Sequence, residues 1–187
     1  MKTLIVVPAR YGSTRFPGKP LTLIAGKSIV SRVAGMAGKA AAALDDAAHV
    51  VATDDARIEE HCRARGIPVV MTDPALPSGS DRALAAAEAL GVQPQVVVNL
   101  QGDSPFTTPA HIIAVAQAAM MSGADAATPY VRLSWEALDA LRAHKLETPF
   151  SGTTLTHDVN GQALWFSKII LPAMRKEAAL RAAGDLS

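Results

Sequence analysis

Three cations fall within ten residues near the N-terminus: Arg10, Arg15 and Lys19, in the run Pro8-Ala9-Arg10-Tyr11-Gly12-Ser13-Thr14-Arg15-Phe16-Pro17-Gly18-Lys19-Pro20. Gly12 and Gly18 permit close backbone approach, and Ser13 and Thr14 add hydroxyl donors. Backbone amides and cations together cradle phosphates. The run matches neither GxxxxGK[ST] nor GxGxxG, so taken alone it reads either as a phosphate loop or as a solvated basic turn. A second candidate is Asp103, in Gln101-Gly102-Asp103 directly after an apolar run. One carboxylate at a strand end can hold a hard cation; an ordinary turn or capping acid is the alternative. Ser78-Gly79-Ser80 precedes a helical segment and suits either a base-reading loop or a simple cap, with Ser80 capping a helix that begins at Asp81. Asp54 has the same ambiguity between ligand pocket and helix cap.

The charge distribution favours a small anionic ligand. Residues 1–44 hold seven basic side chains (Lys2, Arg10, Arg15, Lys19, Lys27, Arg32, Lys39) and no acid, in a chain of 187 residues with net charge +1. Such a local excess points to a local anionic partner rather than bulk attraction to nucleic acid or membrane. Only Tyr11 and Phe16 stand among these cations as stacking platforms, which argues against nucleic acid. A nucleotide phosphate fits better.

Positioning these residues requires a rigid frame, and the pattern supplies one. Thr3–Pro8, His49–Thr53, Pro68–Thr72 and Gln95–Leu100 are short runs rich in β-branched residues, as strands buried on both faces require. Helical segments lie between and after them at Ser28–Leu44, Asp55–Arg65, Asp81–Leu90 and Pro109–Met121, with Thr108 as a cap. This alternation predicts an α/β fold with a mostly parallel sheet. In such sheets ligands bind beyond the carboxyl ends of the strands, where the loops above fall. Further on, Trp135–His144 and Arg175–Ala183 read as helices. Thr153–His157 and Ala163–Ser167 read as a hairpin around Asn160-Gly161, with Trp165 and Phe166 as strand core.

Other chemistry is excluded or weak. A lone Cys62 cannot form an internal disulfide, and five histidines show no metal-ligand spacing with it. No apolar stretch reaches the ~18 residues of a membrane span, and no leader pattern opens the chain, so it reads as cytoplasmic and not inserted in a membrane.

The loop PARYGSTRFPGKPL resembles the opening signature of the sugar-acid cytidylyltransferases, and within them the branch acting on 3-deoxy-manno-octulosonate (KDO). Ala52-Thr53-Asp54-Asp55, Met71-Thr72, Ser78-Gly79-Ser80-Asp81-Arg82, Asn99-Leu100-Gln101-Gly102-Asp103-Ser104-Pro105 and Ala163-Leu164-Trp165-Phe166-Ser167-Lys168 follow in the family's order. The resemblance implies a Rossmann-like, GT-A-like nucleotidyltransferase fold of three layers, with a mostly parallel, mixed central sheet and a late β-hairpin. It implies transfer of CMP from CTP to the anomeric hydroxyl of KDO, releasing pyrophosphate, for lipopolysaccharide biosynthesis. The alternatives are another acid sugar, such as an N-acylneuraminate or amino-KDO, or a catalytically inactive nucleotide-binding protein. By resemblance Arg10, Lys19 and Asp103 are catalytic, and Asp103 holds Mg²⁺. Pro8, Ala9, Arg10, Ser13, Arg15, Lys19, Asp54, Ser78, Gly79 and Gln101 bind the nucleotide.

The sequence departs from the family at particular points. Ser104 stands where an acid usually follows QGD, Leu76-Pro77 where a His often precedes the Ser-Gly pair, and Thr154 where a Lys is common. The chain is expected to form one nucleotidyltransferase domain lacking its C-terminal part, residues 150–187 beginning a smaller acceptor and dimerisation region. That remainder carries a second metal-binding aspartate in the family. The expected outcome is either further residues beyond Ser187 or a homodimer covering apolar hairpin residues such as Leu164 and Phe166.

Overall fold

The computed structural model describes residues 1–12, 16–171 and 174–184. Contacts divide the chain into two units, Met1–Pro129 and Tyr130–Ser187.

The first unit is built on a parallel sheet of β1 (Thr3–Ala9), β4 (Ala47–Thr53), β5 (Val69–Met71) and β6 (Val96–Asn99), in the order β5-β4-β1-β6. β1 is central, and its nearly continuous apolar sequence follows from burial on both faces. Ile5, Val7, Val51 and Val98 face helices α1 (Ile29–Ala43), α2 (Ala56–Arg63) and α4 (Pro109–Ser122). Leu4, Val6, Val50 and Ala52 face α3 (Gly79–Ala89) through Ala83, Ala86 and Ala87. The result is the three-layer α/β arrangement that the strand–helix alternation predicts. Alanine-rich helix faces carry little side-chain bulk, so the layers approach closely.

Side-chain caps set the helix starts. Ser28, Asp55, Ser78 and Thr108 each accept a backbone N–H of the first turn. The cap of α3 is therefore Ser78, two residues before the expected Ser80: the helix begins at Gly79, and Asp81 sits inside its first turn. A small hairpin, β2 (Leu23–Ile24) with β3 (Lys27–Ser28), precedes α1. Its two-residue turn, Ala25-Gly26, has φ of 46° and 76°, the conformation of a primed turn.

The second unit comprises α5 (Trp135–Glu147), a hairpin of β7 (Thr154–His157) with β8 (Ala163–Ser167), and α6 (Glu177–Ala183). Ion pairs link its helices: Arg142 donates to both oxygens of Glu177 at 2.7 and 2.8 Å, and Arg181 to Asp139 at 2.6 and 2.9 Å. Arg181 also lies over the Trp135 ring, 4.4 Å from its centroid. Trp165 and Phe166 are exposed, at 66% and 53%, and Leu164 at 66%. This corrects their reading as strand core. Among the described residues this sheet has two strands, β7 and β8, with no further layer of the unit over these side chains.

Candidate functional site

The strand order places a switch point beside β1. After β1 the chain moves one way to β4 and β5, then crosses to β6 on the other side. Loops leaving β1 and β6 therefore diverge, and such a crevice is where open α/β sheets bind ligands. A cleft of about 630 Å³ lies there. The β1 loop contributes Pro8, Ala9, Arg10 and Lys19; the β6 loop contributes Gln101, Gly102 and Asp103; Ser78 and Gly79 enter from the first turn of α3.

The β1 loop is pinned at its neck. Gly18 N–H donates to Tyr11 O at 2.9 Å, and a side chain on Gly18 would meet the Tyr11 ring at 3.1 Å. Gly18 also has φ of 73°, a conformation that side-chain-bearing residues rarely adopt. Arg57 covers the Tyr11 ring at 3.3 Å from its centroid. Lys19–Leu21 then forms a single 3-10 turn that sets Lys19 on the cleft wall.

On the β6 side, Gly102 allows the loop to pass against β1. A Cβ there would lie 2.2 Å from Pro8 O and 3.3 Å from Pro8 C. This approach brings Asp103 across to Lys19, whose Nζ donates to Asp103 Oδ2 at 2.7 Å. Their side chains are 38% and 55% exposed. An exposed pair of this kind is worth only about 0–1 kcal/mol, so an arriving phosphate or cation can exchange either partner. Arg10 donates one N–H to Leu76 O, linking the β1 loop to the segment before α3. A guanidinium carries five donors, which leaves others for an anion in the cleft.

The cleft offers a hard cation one carboxylate, that of Asp103. Among the described residues no group of three His, Cys, Asp or Glu could hold a metal. A cation at Asp103 must therefore draw most of its ligands from phosphate and water, as Mg²⁺ does. The residues present suit Mg²⁺ bound together with a polyphosphate.

Of the residues singled out from sequence, Pro8, Ala9, Arg10, Lys19, Ser78, Gly79, Gln101 and Asp103 line this one cleft. Ser13 and Arg15 lie outside the described residues. Asp54 is not among the lining residues; it accepts from Arg82 Nη2 at 2.7 Å. Arg82 is fully buried on α3, and its Nη1 donates to Thr72 Oγ1. Burial pushes the Arg82 guanidinium down from its usual range, while the nearby Asp54 opposes that shift. This pair ties α3 to the ends of β4 and β5, beneath the turn that carries Ser78 and Gly79.

Sequence reasoning gave no role to Gly102, Arg82 or Asn99. Arg82 shares the helix stripe of Ala83, Ala86 and Ala87, so its position on the buried face was the available signal. Asn99 Nδ2 donates to Ser80 Oγ at 3.1 Å, joining β6 to α3.

The cytidylyltransferase family model matches residues 4–184. A 3-deoxy-manno-octulosonate cytidylyltransferase of Maricaulis maris is 42% identical over 177 residues, covering 94% of this chain and 67% of the relative. Its counterpart in Pseudomonas syringae pv. tomato is 43% identical over 176 residues, covering 94% of this chain and 65% of the relative. A solved CMP:2-keto-3-deoxy-manno-octonic acid synthetase complexed with CTP superposes with a TM-score of 0.74 at 30% identity. That match covers 95% of this chain and 68% of the solved one. The chain thus spans about two thirds the length of the relatives it matches.

Proposed function

This chain belongs to the cytidylyltransferase family, and from that premise we propose that it transfers CMP from CTP to the anomeric hydroxyl of KDO, releasing pyrophosphate. The observation carrying the proposal is the meeting of Lys19 and Asp103 at 2.7 Å across a cleft at the switch point. The KDO-specific names of relatives 42–43% identical over most of the chain support the choice of acceptor.

In this reading the acceptor hydroxyl attacks the α-phosphorus of CTP. A new phosphorus–oxygen bond forms as the bond to pyrophosphate breaks. Arg10 forks onto phosphoryl oxygens, and Lys19 sets a compact charge beside the triphosphate. Their charge is already in place when the transition state forms, so it needs no reorganisation. The Ser78–Gly79 turn faces the nucleotide from the α3 side. Asp103 would hold Mg²⁺, which when bound neutralises charge on the phosphates. The product is activated KDO, the form required for building lipopolysaccharide, and the reaction belongs in the cytoplasm. Among the described residues no helix is long and apolar enough to cross a membrane. The exposed Leu164, Trp165 and Phe166 of β8 support association as a homodimer, since exposed apolar patches mark such surfaces.

Pyrophosphate release on mixing the protein with CTP, Mg²⁺ and KDO tests the proposal. KDO-dependent release supports it. Release only with an N-acylneuraminate or amino-KDO would reassign the acceptor. CTP binding without turnover would make this chain a nucleotide-binding protein, the reading favoured by Ser104 at the position after QGD.

A further inference from the structure

Not all cations of the basic N-terminal segment serve the cleft. Arg10 and Lys19 face the cleft, and Arg32 Nε donates to the Ile24 carbonyl at 3.0 Å. Lys27 lines a second groove of about 400 Å³, which shares no lining residue with the first. This groove runs along α1, between the β2–β3 hairpin and the segment that follows α2.

Its lining suits an anion. Lys27 and Arg65 are exposed cations on its walls, and His49 adds an imidazole. Among the described residues no acid lines it, and Lys27 Nζ has no hydrogen bond or ion pair. Arg65 uses Nη1 on the His61 carbonyl at 3.2 Å, leaving further donors. Burial pushes His49 below its usual range, so Lys27 and Arg65 are the groove's main source of positive charge. Electrostatic focusing in a groove lined by one sign of charge raises the local concentration of the opposite sign.

A second observation concerns α1. Its sequence, IVSRVAGMAGKAAAA, is rich in alanine, yet it carries glycine at 35 and 38, on one face, both lining the groove. Glycine is among the poorest residues for a helix interior. A Cβ at Gly35 would come within 3.5 Å of Lys27 Nζ, and one at Gly38 within 3.1 Å of the His49 ring. At Gly38 a methyl group would press on the His49 ring, whereas at Gly35 it would reach only ordinary contact with Lys27; both glycines leave the groove wall along α1 free of side chains at those positions.

We propose that this groove is a second anion site, separate from the cleft, that takes a phosphate dianion, either free or on a small organic monoester. The apolar Leu23 and Ile67 beside the cations, and a volume larger than phosphate alone needs, favour the ester.

The test is titration of inorganic phosphate, and separately of glycerol 3-phosphate, into the wild type and into an Arg10→Ala/Lys19→Ala variant whose cleft is silenced. Calorimetry reads affinity, and amide shifts read position. Saturable binding should persist in the silenced variant, with the amides of Lys27, Gly35 and Gly38 shifting. Adding Lys27→Ala and Arg65→Ala should weaken it at least tenfold without lowering Tm, because both side chains are exposed. Tighter binding of the glycerol ester supports the monoester form, and equal affinity supports the free ion. Loss of all saturable binding in the silenced variant would overturn the proposal. So would shifts confined elsewhere, or an affinity indifferent to Lys27 and Arg65.

Discussion

Replacing Gly102 by alanine is the smallest perturbation that should dismantle the cleft. The added Cβ would stand 2.2 Å from Pro8 O, whereas ordinary contact begins near 3.4 Å, so one backbone must retreat by about 1 Å. β1 cannot yield easily, because Pro8 and Ala9 are paired in register with Ala52 and Thr53 of β4. The 101–103 loop must move instead, carrying Asp103 away from its 2.7 Å contact with Lys19. A misplacement of ~1 Å at a reacting centre can cost about 100-fold in rate. Overpacking of this kind costs roughly 1–3 kcal/mol in stability. Gly102→Ala should therefore lower CTP- and KDO-dependent pyrophosphate release about 100-fold while the protein still unfolds cooperatively. Turnover within twofold of wild type, with Tm unchanged, would show that the close approach of the two loops is dispensable.

Other outcomes follow from single contacts. Arg82→Ala removes a fully buried side chain and leaves the part-buried Asp54 without its partner, and should cost about 3 kcal/mol in urea unfolding, the low end for breaking a buried pair; a loss below 1 kcal/mol would deny the pair a structural role. Burial pushes the Cys62 thiol up to about 11, and the side chain is fully buried. Its modification by a thiol reagent at pH 8 should be at least ~100-fold slower in the native protein than in urea, and equal rates would contradict that burial. Hydrogen bonds from Arg142 and then Arg181 hold Glu177 at about 2. Because this acid is depressed on folding, its stabilisation is present above the unfolded value of about 4.5 and lost as pH falls towards 2. Both tryptophans, Trp135 and Trp165, lie in the second unit, so their fluorescence should change across that window in wild type and less so in Glu177→Gln; identical acid profiles would refute the linkage.

Much of the first unit is legible in the sequence because its strands are buried on both faces. Continuous runs such as TLIVVP leave few alternatives once helical segments separate them. The β2–β3 hairpin was not legible: two-residue strands carry no periodicity, and Ala25-Gly26 is not one of the strong turn pairs. The start of α3 shifted because Ser78 and Ser80 are both good caps, and only three-dimensional geometry chooses between them. Trp165 and Phe166 misled for a different reason. A run of large apolar residues signals a strand, but burial depends on what lies over it. At the site, charged residues in loops announced themselves by type and spacing, whereas Asp54 did not reveal its partner, a buried arginine 28 positions away. Gly102 was readable as part of a triplet. Its steric duty against Pro8 appears only when the two strand ends lie side by side.

In the proposed reaction Lys19 and its neighbours hold the triphosphate of CTP at the switch-point cleft. Calorimetric titration of CTP with Mg²⁺ into the wild type and Lys19→Ala tests it most directly. Hydrogen bonds to charged groups contribute about 1.5–3 kcal/mol, equivalent to roughly 10- to 150-fold in affinity. The wild type should show one CTP site, weakened at least tenfold in Lys19→Ala. Tm should stay near the wild-type value, because the exposed Lys19–Asp103 pair adds little stability. Equal CTP affinity in the two proteins would contradict the claim.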